Sequence, residues 1–439
     1  MCFSRLLSSK YFAPLFWTQF LGAFNDNVYK NALVILLSIN GASYTDISIE
    51  LLIPLCGGIF ILPFFVFSAL AGQLADKFEK SQLIRLIKIA EINIMLLASV
   101  GFYLQNIWFL LAVLFFMGCQ SSLFGPVKYS ILPQHLSEQG LLKGNAMIEL
   151  GTFLAILLGT IIGGVLISNY ESGHLYVSLL VVFIAIMGWF SSLKIPRAES
   201  ANKHLNINFN FVTQTGVILR NAAKERLILA TILGISWFWL IGATILSIIP
   251  LPAFTQRILW ADKQVITLLL ALFSIGIGVG SIIAGRAKNL VKSFKWVVIG
   301  SMGISLSSLD LYWLSQQLLS YHAEQNNTLL VNWQALFEQR LSLNVLIDIL
   351  FMGIAGGLYI VPLYVVLQEY SDIKSRSRTI AANNIVNALF MVSSAIITML
   401  LLNSGVQVQQ LFIIIGASNI VVIALLYKFF AADLHRFNQ

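Results

Sequence analysis

Twelve long apolar runs decide what this chain can fold into. They cover approximately residues 12–39, 49–74, 83–103, 106–124, 144–168, 173–194, 226–250, 264–285, 295–316, 343–367, 379–402 and 410–431. Each is close to the roughly 20 residues a helix needs to cross a bilayer. The runs are continuous rather than alternating, which points to helices and away from a β-barrel. Charged residues make up 10% of the chain, against about 25% in soluble domains. The expected class is therefore an all-α integral membrane protein. The first span is too long and too polar for a cleaved signal peptide.

An even number of spans puts both termini on one side, and charge selects the side. Of the 27 Lys and Arg, 23 fall on the side of the N terminus, three (Arg257, Lys263, Arg340) on the other, and Lys30 lies inside a span. This asymmetry places both termini in the cytoplasm. The net charge of +8 then belongs to a membrane surface, and no nucleic-acid partner is expected. The longest cytoplasmic segment separates spans six and seven. The chain divides into an N-terminal six-helix bundle (1–194), a linker with an amphipathic surface helix (195–225) and a C-terminal six-helix bundle (226–439). A long outer segment, 317–342, carries Trp333, Leu336 and Phe337 in the pattern of an interfacial helix.

The first span is unusual for a membrane helix. Gln19-Phe-Leu-Gly-Ala-Phe-Asn-Asp-Asn-Val-Tyr-Lys-Asn31 puts Gln19, Asp26, Asn27, Lys30 and Asn31 in one sector roughly 140° wide at 100° per residue. Asn25 falls outside it. Asp26 and Lys30 are i,i+4 neighbours and can pair. Charge at such depth faces a cavity or a partner, not lipid. Two readings follow: a polar cavity wall near the midplane, or a self-neutralised pair serving as structural glue. Further intramembrane polar groups are Glu91, Glu149, Asp310, Asp348, Asn383, Asn384 and Asn387. Glu91 has Lys88 one turn away at the end of its own helix and reads as structural.

The halves look related. Pro126-Val-Lys-Tyr-Ser-Ile-Leu-Pro-Gln-His135 leads to Gly144-Asn145-Ala146 after span four. Pro362-Leu-Tyr-Val-Val-Leu-Gln-Glu369 leads to Ala382-Asn383-Asn384 after span ten. Glu149 and Asn387 then occupy corresponding places. A parallel six-plus-six repeat is the architecture of major facilitator transporters, whose site lies at the midplane between halves. Gly159-x-x-x-Gly163 in span five and Gly276 with Gly280 in span eight read as close-packing faces.

Gly72-Gln-Leu-Ala-Asp-Lys-Phe-Glu-Lys80 resembles motif A of the major facilitator superfamily. The resemblance implies close helix approach at Gly72 and a conformational latch at Asp76, followed by basic residues beginning with Lys77. Glu79 replaces the usual glycine, which should weaken the turn. The second-half equivalent, Gly280 to Arg286, has lost the aspartate. Span five lacks the Gly-Pro pair of drug–proton antiporters.

Gln19-Phe-Leu-Gly-Ala-Phe-Asn-Asp-Asn27, Phe124-Gly-Pro-Val-Lys-Tyr-Ser-Ile-Leu-Pro133 and the stretch from Gly144 to Gly164 resemble the bacterial lysophospholipid transporters of that superfamily, most clearly over residues 15–165. The resemblance implies twelve transmembrane helices in two bundles and inward flipping of lysophospholipid, such as lysophosphatidylethanolamine, across the inner membrane. Asp26 and Asn27 match the family's first-helix polar pair. Lys128 matches the lysine after span four, able to pair with Asp26 in one conformation. Some relatives are fused to an acyltransferase that re-acylates the imported lipid; with the sequence ending at Gln439, that enzyme is expected as a separate partner. Membrane lipids are the other partners. The expected substrate and cavity residues are Gln19, Asp26, Asn27, Lys30, Glu149, Asn383 and Asn387, with Asp76, Lys77 and Lys128 gating. The alternative is a proton-coupled exporter of drugs, siderophores or other small amphiphiles, coupled through Asp26 or Glu149. No P-loop, nucleophile elbow or metal-spaced His/Cys set is present in the sequence, so neither enzyme chemistry nor a cofactor is expected.

Overall fold

The computed structural model describes residues 3–44, 49–169, 172–248, 253–262, 264–287, 290–325 and 330–433. Lys263 and Lys288 of the charge asymmetry, with Arg436, lie outside them. Among the described residues, twelve helices of 21 residues or more form the frame: α1 (Ala13–Tyr44), α2 (Ile49–Lys77), α3 (Lys80–Leu104), α4 (Ile107–His135), α5 (Glu138–Asn169), α6 (Gly173–Leu193), α7 (Arg226–Ile248), α8 (Gln264–Gly285), α9 (Leu290–Gln325), α10 (Arg340–Tyr370), α11 (Arg376–Asn403) and α12 (Val408–Asp433). All but α1 and α3 have the length and apolar composition of a membrane span. Pro54, Pro63, Pro126, Pro133 and Pro362 lie inside helices, as membrane helices tolerate when neighbours re-satisfy the backbone.

Two compact units emerge. The first comprises 1–144, 154–228 and 367–388, the second 145–153, 229–366 and 389–439. The corresponding repeat segments around Glu149 and Asn387 are thus each grouped with the unit built mainly from the other half.

In the first unit, Val28, Tyr29 and Leu33 of α1 share a core with Met95 and Phe102 of α3, Leu110 and Leu114 of α4, and Val181 of α6. Tyr29 Oη donates to the Leu110 carbonyl at 2.7 Å, so its buried hydroxyl is satisfied. Lipid tails are as apolar as these side chains, so close packing rather than water exclusion holds the helices together. The glycine face of α5 lies on α1. A Cβ at Gly159 would come 2.7 Å from the Phe24 carbonyl, and one at Gly163 would overlap that of Val28.

The second unit uses the same device. Gly276 and Gly280 of α8 meet Gly353 and Gly357 of α10 so closely that an added Cβ would collide with backbone. Asn419 of α12 donates to the Ser301 carbonyl and Ser305 Oγ on α9, at 2.9 Å each, and accepts from Trp237 Nε1 of α7 at 2.9 Å. The interfacial helix expected in 317–342 is a single turn, Ala335–Glu338, with Leu336 buried and Trp333 and Phe337 exposed. Helix α9 continues to Gln325 and takes up much of that segment.

The linker is tied down rather than loose. Gln73 accepts from Asn208 N at 2.8 Å and donates to the Asn208 carbonyl at 3.1 Å. The Asp76 carbonyl accepts from Asn202 N. Surface helix Phe211–Lys224 starts at an Asn210 cap, buries Ile218 and Ala222, and exposes Phe211, Val212 and Val217. Glu79 does not weaken the turn before α3. It sits in extended backbone that needs no glycine, caps α3 by accepting from Ser81 N and Gln82 N, and accepts from Ala198 N of the linker at 2.7 Å.

Candidate functional site

Helix α1 presents polar groups to four neighbours within the first unit, α2, α3, α4 and α5. Gln19 is buried. Asn27 turns its amide back to the Ala23 carbonyl, 2.7 Å away on its own helix. Asn31 reaches the Thr160 carbonyl of α5 at 2.6 Å. Asp26 and Lys30 are half-buried. Asp26 accepts from Ser121 Oγ of α4 at 2.7 Å.

The Asp26–Lys30 pair that i,i+4 spacing allows is not formed among the described residues. Lys88–Glu91 and Asp76–Arg378 are ion pairs within the first unit. Lys30 instead places Nζ 4.4 Å from the centre of the Phe60 ring on α2. A hydroxyl on α4 and a ring on α2 draw the two side chains in different directions, which spacing along α1 alone does not reveal. Lys128 lies over Tyr129, 4.5 Å from its ring centre.

Deeper in the unit is a network the sequence understated. Lys88 Nζ and Glu91 Oε2 are 2.5 Å apart, with both side chains buried. Glu91 is more than a local partner. Its other oxygen accepts from Asn25 Nδ2 at 3.3 Å, and Oε2 also accepts from Gln120 Nε2 at 3.0 Å. Gln120 adjoins Ser121, the partner of Asp26. Asn25 lies outside the polar sector of α1 and faces α3 instead. The signal available was the polar run Gln120-Ser-Ser122 inside an apolar span. Lys88 fits because α1 has no side chain opposite it: a Cβ at Gly22 would lie 2.5 Å from its Nζ.

At the other end of α2, Asp76 is fully buried. It accepts from Ser377 N at 3.0 Å and pairs with Arg378 Nε at 2.9 Å. Both donors belong to the first turn of α11, where free N–H groups and the helix dipole favour an anion. Gly72 permits the approach, since a Cβ there would stand 2.8 Å from Ala381 Cβ and Arg378 Cα. Lys77 lies over Phe78.

Of the other expected residues, Asn383 and Asn387 are buried on the part of α11 grouped with the first unit. The Asn383 amide has no hydrogen-bond partner among the described residues. Glu149 is buried on the α5 segment grouped with the second unit. The described residues therefore bring Asp26 together with Ser121, and Asp76 with α11.

Residues 15–337 match the family described as Major Facilitator Superfamily. The chain is 27% identical over 378 residues to a lysophospholipid transporter LplT of Serratia proteamaculans (strain 568), covering 83% of this chain and 81% of that one. It is 27% identical over 383 residues to a protein of the same name from Yersinia pestis (strain Pestoides F), covering 83% and 79%. Among solved structures, the human organic anion transporter MFSD10 superposes with a TM-score of 0.73 at 13% identity, covering 95% of this chain and 99% of that one. The proton:xylose symporter XylE superposes with a TM-score of 0.68 at 14% identity, covering 95% and 96%. At such identity these likenesses establish the fold alone.

Proposed function

We propose that this chain, which belongs to the major facilitator superfamily and is a multi-pass membrane transporter rather than an enzyme, flips lysophospholipid inward across the bacterial inner membrane by alternating access. One observation carries the reading. A membrane-length helix holds two opposite charges, Asp26 and Lys30, that do not pair with each other, in a chain whose curated relatives are named lysophospholipid transporters. A lysolipid has a charged head and a single tail. Its head needs fixed polar groups inside the membrane, where each is costly unless used.

In this reading the halves 1–194 and 226–439 are the moving bodies, with both termini cytoplasmic. Asp26 meets the ammonium of a headgroup such as phosphoethanolamine, with Gln19, Asn27, Glu149, Asn383 and Asn387 as further polar groups. Ser121 fixes the Asp26 carboxylate from α4. The buried Lys88–Glu91 pair carries no net charge and leaves Asp26 free to respond to the substrate. Asp76, held by Ser377 and Arg378, latches one state of the cycle, with Lys77 and Lys128 acting in gating. The substrate moves down its own gradient, so no coupling ion is needed.

The test is uptake by proteoliposomes of the purified chain. Lysophosphatidylethanolamine should be taken up, and diacyl phosphatidylethanolamine and cationic drugs should not. Proton-driven efflux of drugs without lysolipid movement would favour the exporter reading instead.

A further inference from the structure

Resting on the lysolipid reading, we infer that Lys30 is the phosphate-binding, specificity-determining residue of this transporter, paired in function with Asp26 one turn away. Lys30 of α1 and Lys88 of α3, two of the first unit's helical lysines, differ in kind. Lys88 is sealed and satisfied, with Glu91 at 2.5 Å and no exposed side-chain surface. Lys30 is half-buried and rests on the Phe60 ring at 4.4 Å. Among the described residues it makes no ion pair. A ring face is a weak counterpart for an ammonium compared with an anion that accepts charge-assisted hydrogen bonds. The nearby carboxylate that would neutralise Lys30, Asp26, is engaged by Ser121.

What remains is a cation and an anion at i,i+4 on α1, a spacing of about 5–6 Å between Cβ atoms. A zwitterionic headgroup matches this arrangement, with its phosphate and ammonium only a few bonds apart. The phosphate draws Lys30 off Phe60, and the ammonium meets Asp26. Phe60 holds the cation in place between substrates.

Three single-chain probes separate the charges: lysophosphatidylethanolamine carries both, lysophosphatidylglycerol only the phosphate, and monoacylglycerol neither. Binding is measured to the purified full chain in nanodiscs. Lys30→Met should weaken both phosphate-bearing lipids about tenfold or more, the scale of a charge-assisted hydrogen bond, and leave monoacylglycerol unchanged. Lys30→Arg should restore phosphate preference. Asp26→Asn should weaken lysophosphatidylethanolamine alone. Phe60→Leu, which keeps Lys30, should tighten the phosphate lipids about two- to fivefold by removing the competing ring. Equal loss for all three lipids in Lys30→Met, or unchanged or weaker phosphate-lipid binding in Phe60→Leu, overturns the inference. Lys30-dependent selectivity in a protein that moves no lysolipid would overturn the transport reading and leave this assignment standing.

Discussion

Asp76 at the end of α2 and Arg378 in the first turn of α11 form an ion pair at 2.9 Å in which the carboxylate is wholly buried. Some 300 residues separate them in sequence, so the contact reports tertiary structure directly. Asp76→Asn keeps the shape and one amide-to-oxygen bond but removes the charge. Transport should slow severalfold or more, while lysolipid affinity stays within about twofold, because the change shifts a conformational equilibrium and not the substrate contacts. Equal losses of binding and transport would mean that Asp76 supports the fold or the substrate itself.

Gly22 and Lys88 form a second linked pair. Gly22→Ala must displace Lys88 Nζ, the partner of Glu91, and Glu91→Gln strands the lysine without its anion. Breaking one side of a buried pair costs about 3–5 kcal/mol, so Glu91→Gln should lower thermal stability sharply. The double change Lys88→Met with Glu91→Leu should recover much of that loss. Gly22→Ala should destabilise the wild type clearly and the Lys88→Met background less, a coupling that a double-mutant cycle measures. Additive effects would show that Gly22 and Lys88 do not share a constraint.

The linker contact of Glu79 is sensitive to pH. Burial alone would raise its carboxyl, but hydrogen bonds from the amides of Ala198, Ser81 and Gln82 and the Ser81 hydroxyl hold it below the ordinary 4.5. The folded value lies below the unfolded one. Its contribution is therefore present above about pH 4.5 and is lost as pH falls through the depressed value. Amide exchange at Ala198, Ser81 and Gln82 should lose protection in that acid range in the wild type. Glu79→Gln should show weaker protection with little change between pH 6 and 4. An identical acid profile in both proteins would assign the effect to another group.

Much of this was written in the sequence and some was not. Apolar run length marks the helices, and Gly159-x-x-x-Gly163 marks a face of close approach, because both are properties of one segment. Helix-wheel geometry also placed Asp26 and Lys30 on one side of α1. It could not choose their partners, since Ser121 and Phe60 come from other helices. The same limit set Asn25 aside: its partner Glu91 lies on α3, and the wheel of α1 carries no record of α3. Glu79 departs from the motif's expectation for a different reason. A motif position occupied by glycine in relatives suggested a strained turn, whereas the backbone here is extended and the side chain supplies a cap.

The central claim is that Asp26 acts as a permanently charged partner for a lysolipid headgroup and not as a carrier of coupling protons. The most direct measurement is uptake of lysophosphatidylethanolamine into proteoliposomes, with and without an imposed proton gradient, for the wild type and Asp26→Asn. The account predicts that wild-type uptake is nearly indifferent to the gradient and that Asp26→Asn loses most of it under both conditions. Strict dependence of the wild type on the gradient, with exchange surviving in Asp26→Asn, would contradict it.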